Sequence, residues 1–193
     1  MDYKKKYLKY KKKYLELKSQ NGRGSQLLKI NQKESVDIFE KKGYSRTYGE
    51  LTEIGLDKIL KSIQGKLPDT FIDLGSGKGN VLTYASKYFK NVEGVELDKE
   101  RHLEAVENTK KYNNIKVTEG DLLEYPIKKN SVIYISSLCF NDDFLKKISN
   151  KLKNIPKDSY VFSSRRIPDL NQYTEIEVKQ TWKNDSGLYG YRI

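Results

Sequence analysis

The segment Thr70-Phe-Ile-Asp-Leu-Gly-Ser-Gly-Lys-Gly79 constrains the fold more than any other part of the chain. Phe71, Ile72 and Leu74 read as the end of a buried strand, and Gly75, Gly77 and Gly79 as the turn after it. Val81, Leu82, Ala85 and Phe89 then recur at helical spacing. A strand, a glycine loop and a helix in that order bring bare backbone N–H groups and a helix N-terminus against a ligand. Twenty-three residues past Asp73, a second predicted strand, Asn91 to Val95, ends at Glu96. An acid at the tip of the neighbouring strand suits the two hydroxyls of a ribose. These residues describe a site for a nucleoside-bearing cofactor.

The loop also says which cofactors it does not take. A phosphate-gripping loop needs Gly-x-x-x-x-Gly-Lys-Ser/Thr, but Ile72 stands five residues before Gly77, and Gly79 follows Lys78. A dinucleotide fingerprint needs Gly or Ala where Asn80 stands. The pattern Asp-x-Gly-x-Gly-x-Gly resembles motif I of the class I S-adenosylmethionine (AdoMet) methyltransferases. Lys78 reads as a solvated loop residue.

Short apolar strands predicted near 70–74, 91–96, 115–118, 131–136, 159–164, 174–181 and 187–192 alternate with helices near 80–89, 99–112 and 141–153. A further helix is expected from Leu51 to Ile63. Such alternation implies a doubly wound α/β fold with a mainly parallel sheet. The last two strands, with Lys183 to Ser186 between them, read as an antiparallel hairpin. A seven-stranded, Rossmann-like sheet that closes this way is the class I methyltransferase plan.

The domain is expected over residues 26–193, after a basic Lys/Tyr-rich helix at 1–18 and a flexible linker at 19–25. Tyr3, Tyr7, Tyr10, Tyr14 and Leu17 lie on one helical stripe among eight lysines, which give the first 18 residues a charge of +6. The segment is either a half-ordered basic tail or an arm that contacts phosphate or an acidic protein face. In the second case DNA would be met through Lys4, Lys5, Lys6, Lys9, Lys11, Lys12 and Lys13. The formal charge of +11 likewise points to an acidic partner, nucleic acid or a nucleoprotein. With no run of about 18 apolar residues and no signal-peptide core, neither a membrane-spanning nor a secreted chain is expected. Nucleus or cytoplasm is the expected location. Cys139, the only cysteine, sits between Leu138 and Phe140 and reads as a buried, inert thiol; His102 is the only histidine. Metal catalysis and a Ser–His or Cys–His nucleophile are therefore not expected.

In a sheet of this kind the ligand lies beyond the carboxyl ends of the strands. The third strand ends in Gly120-Asp121-Leu122, where an acid can accept from an adenine amino group and a leucine can cover the ring. The fourth ends in Ser136-Ser137-Leu138-Cys139-Phe140, beside the point of methyl transfer. The Asn/Asp-Pro-Pro-Tyr/Phe tetrapeptide of adenine N-methylating enzymes is absent there.

At this point the chain resembles the catalytic core of the DOT1 family, the non-SET histone-lysine methyltransferases. Tyr48-Gly49-Glu50, Asp73 to Gly79, Gly94-Val95-Glu96, Gly120-Asp121, Ser131 to Ile135 and Ser163-Ser164 carry the resemblance. So do Trp182 and Tyr189, at the spacing of an aromatic pair that lines the family's lysine channel. The likeness implies AdoMet held by Tyr48, Gly49, Glu50, Asp73, Gly75, Ser76, Gly77, Gly79, Asn80, Glu96, Asp121 and Leu122. It implies that Tyr48, Ser136, Phe140, Trp182 and Tyr189 surround the reacting groups, with a histone or nucleosome as partner and no metal. The family's Asn-Asn at the fourth strand is Ser136-Ser137 here, and its Thr after Tyr-Gly-Glu is Leu51. The Lys/Tyr-rich opening resembles the starts of many giant-virus proteins; a viral chain would act in the host nucleus, a viral factory or the virion. Two alternatives stay open: an RNA or small-molecule methyltransferase on the same fold, and a nucleic-acid-binding scaffold subunit with weak activity.

Overall fold

The structure is a computed structural model that describes residues 50–181 and 183–193. The expectations placed on residues 1–49 (the basic helix, the linker, Tyr48 and Gly49) and on Trp182 lie outside the described residues.

Seven strands form one sheet. They are β1 (Thr70–Leu74), β2 (Asn91–Glu96), β3 (Ile115–Glu119), β4 (Ser131–Ile135), β5 (Tyr160–Ser163), β6 (Gln172–Gln180) and β7 (Lys183–Arg192), in the order β3-β2-β1-β4-β5-β7-β6. The first five run parallel and β7 lies antiparallel between β5 and β6. Every residue of β1, β4 and β5 is buried, because helices cover both faces of the sheet at its middle. The helices are α1 (Glu53–Ser62), α2 (Asn80–Ala85), α3 (Lys99–Thr109) and α4 (Asp142–Lys153). From β1 the chain steps one way to β2; from β4 it steps the other way to β5. Because such crossovers are right-handed, α2 and α4 lie on opposite faces. On the α2 face, Phe71, Val92, Val132, Tyr134 and Phe162 pack with Leu56 and Ile59 of α1 and with Val81, Leu82 and Ala85 of α2. Strand order reverses between β1 and β4, and that is where a ligand crevice opens.

Caps set the helix starts. Thr52 Oγ1 accepts from Gly55 N (3.2 Å), Asp98 Oδ1 from Glu100 N and Arg101 N (3.0 and 3.2 Å), and Asn141 Oδ1 from Phe144 N (2.8 Å). Each cap is worth about 1 kcal/mol.

Three expectations change. Leu51 is not helical: it is fully buried and bridges Gln180 in antiparallel fashion, so α1 starts two residues later. The hairpin turn is not Lys183–Ser186, since those residues belong to β7 and the pair Gln180↔Lys183 leaves only positions 181 and 182 between the strands. The helix expected over 80–89 ends at Ala85, and its last turn tightens as Tyr88 N and Phe89 N both reach Ala85 O. Phe89 nonetheless stays in the core, its ring 5.3 Å from that of Phe71.

Gly94 shows how closely the cofactor loop lies on β2. A Cβ there would stand 2.6 Å from Leu82 Cδ1 and 2.8 Å from Ser76 Oγ. Gly94→Ala is expected to destabilise the fold by about 1–3 kcal/mol, the usual cost of overpacking. Gly120→Ala is the control, because its Cβ would meet only Val95 Cγ2 at 3.7 Å. Urea denaturation that ranked the two equally would contradict the packing described.

Candidate active site

The glycine loop is pinned to the tip of β2. Gly75 N and Ser76 N both donate to Val95 O (2.9 and 3.0 Å), and Gly77 N donates to Glu96 Oε2 (2.8 Å). Gly75, Gly77 and Gly79 have φ of +97°, +54° and +82°, so the loop turns through conformations that side chains resist. Nothing lies within 4 Å of where a Gly75 Cβ would project, which leaves open space at the end of β1.

Glu96 is buried, and its other oxygen, Oε1, accepts from Asp98 N at 2.8 Å. Each carboxylate oxygen thus takes one main-chain N–H and keeps a lone pair for another donor. Asp73, on β1, is 2% exposed, and its Oδ1 has no hydrogen-bond partner. Burial, then the carboxylates of Glu50 and Glu96, push its pKa well above the ordinary carboxyl value.

That shift has a consequence for stability. An acid with a raised folded pKa binds its proton more tightly in the folded chain. Its contribution is fully present below the unfolded value, about 3.9, and is lost as pH rises through the folded pKa. Asp73→Asn should therefore gain on the wild type as pH rises from about 4. Thermal melts across pH in which the two chains kept a constant gap would refute the assignment.

Glu50 reaches the same crevice from the other side. Its Oε2 accepts from Asn80 Nδ2 at 2.7 Å, which ties it to the first residue of α2. Its main chain is held by Thr181: Glu50 N donates to Thr181 Oγ1 (3.0 Å), and Thr181 N donates to Glu50 O (2.9 Å). Asp121 follows β3, where its Oδ1 accepts from Leu123 N (2.9 Å), and Leu122 is buried. Gly120 N donates to Glu96 O, which joins this turn to the β2 tip. Lys151 of α4 braces the turn through Leu123 O (3.0 Å) and Tyr125 O (2.6 Å), and Tyr125 OH donates to Glu93 Oε2 (2.8 Å). Burial lowers the Lys151 pKa, and Glu124 and Asp121 offset part of that.

At the end of β4, Ser136 is half-buried. Ser137 is fully buried; its Oγ lies 2.6 Å from Ser163 Oγ and accepts from Arg165 N at 2.9 Å. Phe140 meets Phe144 edge to face at 4.8 Å, which fixes it on the first turn of α4, and its carbonyl accepts from Arg165 Nη1. Tyr189 is the β7 partner of Ser163, with the Arg166 guanidinium 5.1 Å from its ring centroid. Cys139 is exposed rather than buried: it sits in the loop past the end of β4, where apolar sequence no longer points into the core. Lys78 pairs with Glu104 at 2.7 Å, both about half exposed, as befits a loop lysine in water.

Hydrogen bonds and shared electrostatics thus gather Glu50, Asp73, Ser76, Gly77, Asn80 and Glu96, and the Gly120 link adds Asp121. Ser136 and Phe140 follow the end of β4, and Tyr189 pairs with Ser163, the last residue of β5, at the same edge of the sheet. Sequence reasoning missed Asp98, Lys151 and Thr181. Asp98 carried a signal, an acid just before an amphipathic run; the other two carried none.

The fit to AdoMet follows from these observations. The site offers carboxylates at both ends, an unpaired buried carboxylate oxygen and an open cradle at Gly75. Among the described residues no ion pair joins Asp73 to a cation. A ligand with a ribose diol at one end and an ammonium with a neighbouring sulfonium at the other matches that charge. Fold and site together define a class I AdoMet-dependent methyltransferase domain.

Sequence and structural relatives agree. The profile of the family described as histone methylation protein DOT1 matches residues 35–186, and the chain belongs to that family. Among solved structures, an RNA methyltransferase from Salinibacter ruber in complex with S-adenosyl-L-homocysteine superposes with a TM-score of 0.59 at 19% identity, covering 72% of this chain and 89% of that one. A SAM-dependent methyltransferase from Aquifex aeolicus gives 0.55 at 19% identity, covering 73% and 92%. In sequence the chain is similar to the uncharacterized protein MJ1452 of Methanocaldococcus jannaschii, 38% identical over 36% of this chain, and to pluviatolide O-methyltransferase of Sinopodophyllum hexandrum, 28% identical over 57%. The matches span only 28% and 30% of those two relatives.

Proposed function

We propose that this protein is an AdoMet-dependent lysine N-methyltransferase acting on a histone, a nucleosome or a similarly basic chromatin protein. The observation that carries the reading is the match to the DOT1 family across residues 35–186. The bound cofactor supplies a methyl group on a cationic sulfur, already activated for displacement. The chain has to bind, align and exclude water. Glu96 and Asp121 hold the adenosine, and Asp73 and the Glu50–Asn80 pair hold the methionine end. Collinear alignment of the acceptor with the methyl carries most of the acceleration. A lysine acceptor must first lose a proton, and an apolar channel walled by Phe140, Trp182 and Tyr189 lowers its pKa from about 10.4. Ser136 lies where the acceptor would enter.

An RNA or small-molecule acceptor is the second reading, favoured by Ser136-Ser137 in place of the family's Asn-Asn. Ser137 is occupied with Ser163 and Arg165, and Ser136, half-buried just past β4, stands next to it. Labelled methyl transfer to nucleosomes, free histones, RNA and a metabolite extract, run side by side, tests both. Methyl-lysine in hydrolysed histone is the expected product, and label confined to RNA or metabolites would overturn the first reading. A scaffold with weak activity would label each of them only faintly.

The partner surface is assigned to Lys4, Lys5, Lys6, Lys9, Lys11, Lys12 and Lys13, docked on DNA phosphate. With about five contacts, the log–log salt slope of DNA binding should be about −4 to −5. Deleting residues 1–18 should flatten it and reduce activity on nucleosomes more than on a short peptide. Equal losses on both substrates would rule out docking.

A further inference from the structure

Asp73 and Tyr134 are cross-strand partners on β1 and β4, so their side chains leave the same face of the sheet. They are 2% and 1% exposed; Asp73 Oδ1 has no hydrogen-bond partner, and the Tyr134 hydroxyl makes no close hydrogen bond, with the Ser136 and Ser164 hydroxyls near it. Ser164, just past β5, adds a third buried oxygen without a close hydrogen bond. Buried polar atoms are paired in roughly nine cases of ten or more. Buried oxygens without close hydrogen bonds over adjacent strands, at the edge where this fold takes its ligand, leave room for a further donor. The local field gives the donor's sign. After burial, the charge of Asp73 raises the Tyr134 pKa, and Glu50 adds to it, while the neighbouring Ser136 and Ser164 hydroxyls offset part of the shift. Acceptors in a negative field suit a primary ammonium, which has three N–H donors and no acceptor.

We propose that the Tyr134 hydroxyl oxygen, together with Asp73 Oδ1, accepts hydrogen bonds from the α-ammonium at the methionine end of the cofactor, which makes Tyr134 a further cofactor-binding residue. The inference rests on AdoMet being the cofactor. The order β2-β1-β4 gives it direction: with the ribose at Glu96 on β2, a ligand crossing the tip of β1 over Gly75 brings its far end to β4.

Calorimetric titration of the full chain with AdoMet and with 5′-methylthioadenosine, which lacks the amino-acid end, tests this. Tyr134→Phe should weaken AdoMet roughly 10- to 100-fold, as for hydrogen bonds to a charged group, and leave methylthioadenosine within about twofold. The melting temperature of the free protein should hold or rise, because the change removes a buried hydroxyl that makes no close hydrogen bond. Asp73→Asn should show the same selectivity with a larger loss. Unchanged AdoMet affinity in Tyr134→Phe would overturn the proposal, as would equal losses for both ligands with a lower melting temperature. An increased KM for the acceptor with AdoMet affinity intact would overturn it too, and would assign the ammonium to a substrate lysine. If the wild type bound neither nucleoside, the cofactor reading itself would fall, a result distinct from all of these.

Discussion

Glu96→Ala is expected to lower the unfolding free energy by about 2–4 kcal/mol and to weaken AdoMet binding roughly 100-fold. The two effects have separate origins. Without the carboxylate, Gly77 N and Asp98 N lose their acceptors, and a buried N–H left unpaired costs about 1–3 kcal/mol. On the proposed reading the ribose hydroxyls then lose their charged acceptor as well. Glu96→Gln separates the contributions. An amide oxygen can still serve one of the two N–H groups, so stability should recover in part while cofactor affinity stays low. Calorimetry that found AdoMet affinity unchanged in the alanine variant would remove the ribose assignment. Unchanged stability in urea would contradict the two main-chain bonds.

Tyr189→Ala and Trp182→Ala should each cut turnover by about 100-fold, the scale of loss when an acceptor is poorly aligned, with AdoMet affinity held within a factor of a few. Tyr189 is half-buried and borders Ser163 at the carboxyl edge of β5, with Arg166 against its ring. On the proposed reading it walls the acceptor path. Single-turnover kinetics on a labelled histone, beside a titration of cofactor, make the comparison. Lost cofactor binding in either variant, or full activity in both, would mean that the rings serve packing alone.

The central sheet was legible because its strands are buried on both faces and therefore continuous in hydrophobicity: β1 and β2 begin and end where the sequence predicts. The glycine loop and Glu96 were legible as a loop and a strand tip because their spacing is fixed, and the bond from Gly77 N to Glu96 Oε2 joins them across the two strands. The hairpin was misread for a local reason. Lys183, Asn184, Asp185 and Ser186 have the composition of a turn, whereas Thr181 and Trp182 favour strands. Pairing of seven β6 residues with β7 overrides both preferences. Leu51 continues the apolar period of α1, and nothing local reveals that Thr52 stops the helix and hands Leu51 to the sheet. Tyr134 was hidden in plain apolar sequence, Ser131-Val-Ile-Tyr-Ile135, where a hydroxyl leaves no trace in the periodicity. Its meaning is tertiary, since it depends on Asp73 standing on the next strand.

The contacts between Glu50–Thr52 and Lys179–Thr181 have one more consequence. β6 is the outermost strand, so its outward N–H and C=O groups could template a foreign strand. Thr52 donates through both N and Oγ1 to Lys179 O (3.2 and 2.7 Å), Leu51 bridges Gln180, and Glu50 exchanges bonds with Thr181. The segment that reaches over the cofactor crevice therefore also shields the open side of the sheet near the hairpin. Substitutions that loosen it would uncover a sticky backbone ribbon, and the first symptom would be clumping of the protein during expression, ahead of any fault in the chemistry.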